Sequence, residues 1–194
     1  MTVSEYRTAE RVERFGNKVF TLVSDQVVMP DGATAQRDYL RHVGAVAAVA
    51  LDDEDQVLLI RQYRHPVGAE LWELPAGLTD VPGESAVDSA RRELAEEADL
   101  TAERWDVLLD LHPTPGCSSE HIRVYLARGV ADVPEHEQHQ REHEEAGLTR
   151  HWVPLPEAVR MVLAGEITNA TAAAGILAAA RCRDNDWAGL RPAQ

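Results

Sequence analysis

The stretch from Leu74 to Leu100, LPAGLTDVPGESAVDSARRELAEEADL, constrains the chain more than any other. It passes from a strand-like apolar segment through a Gly and Pro turn into an amphipathic helix whose last two turns carry Glu93, Glu96 and Glu97. Residues three and four apart share a helix face, so Glu93 and Glu97 project together and Glu96 sits one position to the side. Like charges at that spacing repel by roughly 0.2–0.5 kcal/mol per pair unless something positive lies between them. A hard divalent cation is such a partner. Mg2+ takes carboxylate, carbonyl and water oxygens and commonly bridges to substrate phosphates, so the face reads as a metal site for phosphate chemistry. A solvated acidic helix face is the other reading of the same charges.

Arg92, beside Glu93, buttresses a neighbouring carboxylate or makes a surface ion pair. Glu84 is a further carboxylate of the metal face, or an acid favoured near a helix N-terminus. Ser85 with Asp88 three residues on resembles a capping box, which sets where the helix begins and hence the phase of its glutamates.

This arrangement resembles the signature box of the Nudix hydrolases: Gly, a spacer, Glu, seven residues, Arg-Glu, an aliphatic, any residue, Glu-Glu, any residue, Gly and an aliphatic. Gly77, Glu84, Arg92, Glu93, Leu94, Glu96, Glu97 and Leu100 fit it. Two positions depart. Six residues rather than five separate Gly77 from Glu84, and Asp99 stands where the family has Gly. A slightly longer loop closes at little extra cost. Just past the helix, Gly usually adopts a left-handed conformation; Asp visits it at some cost, and its charge opposes the helix dipole there.

At 194 residues the chain is long enough for one full core and a small terminal lobe. A net charge of −14 argues against nonspecific binding to nucleic acid or to an anionic membrane. An anionic small substrate then needs local basic residues and bound metal. Cys117 and Cys182 are far apart and form no metal-ligand pattern, which suits free thiols in a reducing compartment. The first residues, MTVSEYRTAERVERFG, lack the apolar core of a signal peptide, and the Ala-rich run Ala170–Ala180 is too short to span a bilayer. A cytoplasmic protein is expected.

Along the chain, Lys18 to Pro30 reads as a strand, Asp31-Gly32 as a turn, and Ala35 to Val43 as a second strand, so residues 1–43 suggest a small antiparallel β lobe. A strand pair is rarely stable alone and must pack on the main domain, 44–194, or on another copy. Gly44–Leu51 is apolar enough for a buried strand, and Val57–Tyr63 for another. Arg61, Arg64 and His65 put positive or protonatable groups at a strand end just before the glutamate helix, in position to meet phosphates or to pair with surface acids. Glu73 alternates to the face opposite Trp72 and Leu74. Further strands are predicted at Trp105–Leu111, His121–Val130 and Arg150–Leu155. Helices should follow from Pro156 to about Ala164 and, capped by Thr168 or Asn169, over the Ala-rich segment, with an irregular tail after Arg183. Between the strands His121–Val130 and Arg150–Leu155 lies PEHEQHQREHEEAG, read as a solvated loop. Strands interleaved with a few helices favour a mixed sheet covered on both sides by helices, which is also the α/β/α sandwich that the resemblance implies.

Outside the box, GAVAAVALDD, QYRHPVGAELWELPAGL, HPTPG and GEITNATAAAGIL resemble the ADP-ribose pyrophosphatase branch of the family, particularly its actinobacterial members. Pro115, fifteen residues beyond Leu100, falls where that branch carries a marker proline; read alone it is a turn residue. The resemblance implies hydrolysis of ADP-ribose to AMP and ribose 5-phosphate. It implies Mg2+, with Mn2+ an alternative, held by Glu93, Glu97 and the Ala76 carbonyl, with Glu96 or Glu84 assisting. It implies Arg64 and Arg61, with Glu73 and Pro115, on the substrate, and a proton-accepting Glu145, or its neighbour Glu144, from the EHEEAG segment. It also implies a homodimer with exchanged N-terminal strands. Hydrolysis of another nucleoside-diphosphate sugar or of NADH, and sensing of ADP-ribose without turnover, are the alternatives.

Overall fold

A computed structural model describes residues 5–141 and 147–193. The chain divides into two units, one comprising residues up to Gly44 with His112–His121, the other Ala45–Leu111 with Ile122 onward.

The first unit is a three-stranded antiparallel sheet of β1 (Arg7–Gly16), β2 (Phe20–Val28) and β3 (Thr34–His42), in the order β1-β2-β3. The turns use the expected chemistry: the Asp31 carboxylate accepts from the Ala33 N–H at 2.9 Å, and Gly32 takes φ 82°. The strand β1 was not visible in the sequence. RTAERVERFG has no two-residue apolar alternation and is exposed almost throughout, so backbone pairing and ion pairs hold it rather than a buried face. Chief among these is Asp25, which is buried and takes a two-pronged bond from Arg11, both contacts 2.7 Å. Arg11 holds that carboxyl below the ordinary aspartate range.

The second unit is built on β4 (Ala45–Leu51), β5 (Gln56–Arg64), β6 (Ala69–Glu73), β7 (Ala76–Leu78), β8 (Leu100–Leu111), β9 (Ile122–Asp132), β10 (Thr149–Pro154) and the short β11 (Arg191–Pro192). Its mixed sheet runs β10-β5-β4-β9-β8-β11, with β4 and β9 parallel. Strand β5 meets β4 only at Leu51–Val57; β7 pairs with the start of β4, from Ala45–Leu78 to Ala47–Ala76. The two strands therefore part away from their turn, toward the start of β4, and residues 76–78 fill the opening.

Three helices cover the two faces: α1 (Ala86–Ala98), α2 (Leu155–Leu163) and α3 (Ala170–Arg183). Alternation along β4 sets the layers. Val46, Ala48 and Ala50 pack with Val87, Ala90, Leu94 and Ala98 of α1; Ala47, Val49 and Leu51 pack with Leu155, Ala158 and Met161 of α2 and Ala172, Ile176 and Ala179 of α3. The α/β/α sandwich is thus as the sequence suggested. Of the two expected caps, Thr168 and Asn169, it is Asn169 that accepts from the Ala172 N–H, at 2.9 Å.

Two expectations are corrected. Arg191–Pro192 pairs with Val107 and Asp106 of β8, so the tail after Arg183 is not wholly irregular; two residues are too few to leave a sequence pattern. Strand β8 begins at Leu100 rather than Trp105, because TAER offers no apolar period although its backbone pairs with β9. No helix among the described residues is long and apolar enough to cross a membrane.

Leu94 is fully buried between α1 and the sheet, whereas Leu163 is 77% exposed. Urea unfolding of Leu94→Ala should show a loss of about 3 kcal/mol, and Leu163→Ala a change within about 0.5 kcal/mol.

Candidate active site

The glutamate helix is fixed in phase at both ends. At its start the Ser85 hydroxyl accepts from the Asp88 N–H at 3.3 Å and donates to the Asp88 carboxylate at 2.7 Å. At its end Asp99 adopts the left-handed conformation that its position demands, φ 49° and ψ 38°, with its N–H donating to the Ala95 carbonyl at 3.1 Å. The carboxylate that should oppose the helix dipole is met by Arg141 at 2.6 Å and Arg150 at 3.2 Å.

Between these ends, one guanidinium gathers three carboxylates. Arg92 reaches both oxygens of Glu84 at 3.2 Å, Glu93 at 2.6 Å and Glu96 at 3.2 Å. The Ser89 hydroxyl, itself buried, donates to Glu84 at 2.7 Å. These bonds, Arg92 first and Ser89 second, hold Glu84 below the ordinary glutamate value. Glu97 turns inward, is only 6% exposed, and accepts the Ala76 N–H at 2.8 Å. Glu93 lies over Gly77 so closely that a Cβ there would stand 2.0 Å from its carboxyl carbon. Gly77 leaves the space that carboxylate occupies, so any side chain there would have to displace Glu93.

The donors are all hard oxygens: the carboxylates of Glu84, Glu93, Glu96 and Glu97, with Ala76 tied to Glu97 through its own N–H. That set suits Mg2+ or Mn2+ and poorly suits softer metals. Among the described residues no three acidic, histidine or cysteine side chains are grouped to hold a metal ion; Glu84, Glu93 and Glu96 converge instead on Arg92.

The structure ties together two residues that the sequence assigned separately to substrate. Arg64 grips Glu73 with two bonds, 2.9 and 2.6 Å, and Glu73 is buried. Arg61 lies 5.2 Å from the Trp72 ring centre and 3.2 Å from Glu70, and His151 meets Trp72 edge-on with ring centres 4.9 Å apart. Pro115 is exposed in the first unit, in a turn closed by the Cys117 N–H on the Thr114 carbonyl at 3.0 Å. Glu144 and Glu145 lie outside the described residues. Sequence reasoning missed Ser89 as the support of Glu84, since a serine five residues from a glutamate forms no recognised motif. It also missed the arginines that answer Asp99, which come from a distant part of the chain.

A mixed sheet between helices, with an Arg-Glu-Leu-Ala-Glu-Glu turn docked against a glycine of the sheet, defines a hydrolase of the Nudix type. The NUDIX domain model matches residues 41–174, and the chain belongs to that family. It is 47% identical to the ADP-ribose pyrophosphatase of Mycobacterium tuberculosis over 92% of this chain and 84% of that protein. It is 31% identical to the ADP-ribose pyrophosphatase of Bacillus subtilis over 89% and 91% of the two chains. The fold also matches a crystal structure titled as an ADP compounds hydrolase, with a TM-score of 0.80 across 96% and 98% of the chains at 20% identity.

Gly77→Ala should push Glu93 aside and weaken Mn2+ binding by about 10- to 100-fold in titration calorimetry, with circular dichroism unchanged. The depressed pKa of Glu84 means that the folded state binds fewer protons than the unfolded one in that range, so this stabilisation is present above pH 4.5 and is lost as pH falls through the folded value. Urea unfolding of Glu84→Gln should therefore show a shallower loss of stability than the parent on acidification below pH 4.5.

Proposed function

We propose that this protein hydrolyses the diphosphate bridge of ADP-ribose, giving AMP and ribose 5-phosphate. One observation carries the reading: Glu93, Glu96 and Glu97 are gathered with Arg92 and Gly77, in a chain 47% identical over 92% of its length to an ADP-ribose pyrophosphatase.

Glu93, Glu97 and the Ala76 carbonyl are the proposed ligands of Mg2+, or of Mn2+ in its place, with Glu96 or Glu84 assisting. A cation held there would offset diphosphate charge and acidify water at the site. The protein's own contribution is positional. Arg92 makes two bonds to Glu84 and one each to Glu93 and Glu96, so it keeps like charges together and can retain Glu84 while yielding the other two. The bond from the Ala76 N–H fixes one oxygen of Glu97 and aims the carboxylate at the turn. Glu145, or Glu144 beside it, is the proposed acceptor of the water's proton. Arg64, oriented by buried Glu73, and Arg61 on Trp72 present guanidinium groups for phosphate or the terminal ribose.

We further infer a cytoplasmic homodimer joined through residues 1–43. The support is β1, which among the described residues is an edge strand with nearly every residue exposed and one row of backbone groups facing away from β2.

Glu93→Gln and Glu97→Gln keep the size and one acceptor oxygen of each side chain but remove its charge. Each should lower kcat for ADP-ribose by about 10²- to 10³-fold, with the urea midpoint unchanged. Undiminished turnover in both would overturn the assignment.

A further inference from the structure

We propose that Ser89 is a positioning residue of the metal site: its hydroxyl holds Glu84, and Glu84 in turn holds Arg92, so that Glu93 and Glu96 can exchange that guanidinium for a cation. This rests on the reading that the helix carboxylates hold a divalent cation.

Glu84 precedes α1 in a stretch that is neither helix nor strand, so helical phase does not place it as it places Glu93 and Glu96. Side chains of the helix place its carboxylate instead. Oε2 accepts from the Ser89 hydroxyl at 2.7 Å and from Arg92 Nη2 at 3.2 Å, and Oε1 accepts from Arg92 Nε at 3.2 Å. Ser89 stands one turn before Arg92 and Glu93, so one row along the helix carries the hydroxyl, the guanidinium and the carboxylate. The hydroxyl has a single proton to give. Its other acceptor, the Ser85 carbonyl, is farther away at 3.3 Å, and the closer, charged oxygen of Glu84 takes the bond.

Nothing else about the position calls for a hydroxyl. Ser89 is 1% exposed on the buried side of α1, with Val87, Ala90 and Leu94. Alanine is the better helix former and buries no polar group. What serine adds is one short bond to a carboxylate, and that bond bears on Arg92. A cation drawn to Glu93 and Glu96 must compete with the bonds of 2.6 and 3.2 Å that Arg92 makes to them. With Glu84 pinned, Arg92 keeps its two bonds there while it gives up the others. With Glu84 loose, Arg92 leans on Glu93 and Glu96 and competes more strongly with the cation.

The test is Mn2+ titration calorimetry on the protein without substrate, comparing the parent with Ser89→Ala, Ser89→Cys, Glu84→Ala, and Ser89→Ala combined with Glu84→Ala. Cysteine fills the space of serine but donates poorly, which separates loss of the bond from loss of volume. Ser89→Ala and Ser89→Cys should each raise the Mn2+ dissociation constant by about 10-fold, with circular dichroism unchanged. Because Ser89 acts through Glu84, adding Ser89→Ala to Glu84→Ala should cost nothing further. A parent-like dissociation constant in either serine variant, or a further loss in the double variant, would overturn the positioning role while leaving the metal site intact. No Mn2+ binding by the parent would instead overturn the metal site, and the positioning role with it.

Discussion

The structure depends on keeping several carboxylates close together without letting them drive the helix apart. Glu84, Glu93 and Glu96 share Arg92, and Glu97 is drawn inward by a backbone N–H. Without that guanidinium, partly desolvated like charges would repel in a setting where water screens them poorly. The same compensation holds Glu84 below the ordinary glutamate value, toward the ionised state a hard cation requires.

Much of the surrounding architecture serves to hold that arrangement in register. The Ser85 cap and the left-handed turn at Asp99 set the phase of α1, so Glu93 and Glu96 lie off the apolar stripe of Val87, Ala90, Leu94 and Ala98 while Glu97 is buried beside it. Small residues on β4 let the helix approach the sheet, and the opening between β4 and β5 brings Ala76 and Gly77 beneath it. Glycine at 77 is a steric requirement of the site rather than of the turn, because its missing Cβ is the space occupied by Glu93.

The parts of this design legible in the sequence were those written in short-range patterns. The helix and its cap, the alternating β4 run and the glutamate spacing each follow from periodicity or turn chemistry, and the layered fold follows from their order. What could not be read rests on long-range pairing. Strand β1 lacks an apolar face, the first residues of β8 are polar, and Arg191–Pro192 is too short to signal a strand. In the site, Arg64 and Glu73 were each visible as charged residues, but not that they bind one another across adjacent strands. Asp99 stood out only as a missing glycine, since its arginine partners lie more than 40 residues away in the chain.

The central claim is that these carboxylates act through a bound divalent cation to make a diphosphate bridge breakable by water. The most direct measurement is product analysis of ADP-ribose hydrolysis in 18O-labelled water, with Mg2+ and after exhaustive chelation. The account predicts AMP and ribose 5-phosphate only with the cation, and label in the phosphate of one product alone. Undiminished product formation in the chelated enzyme would contradict it.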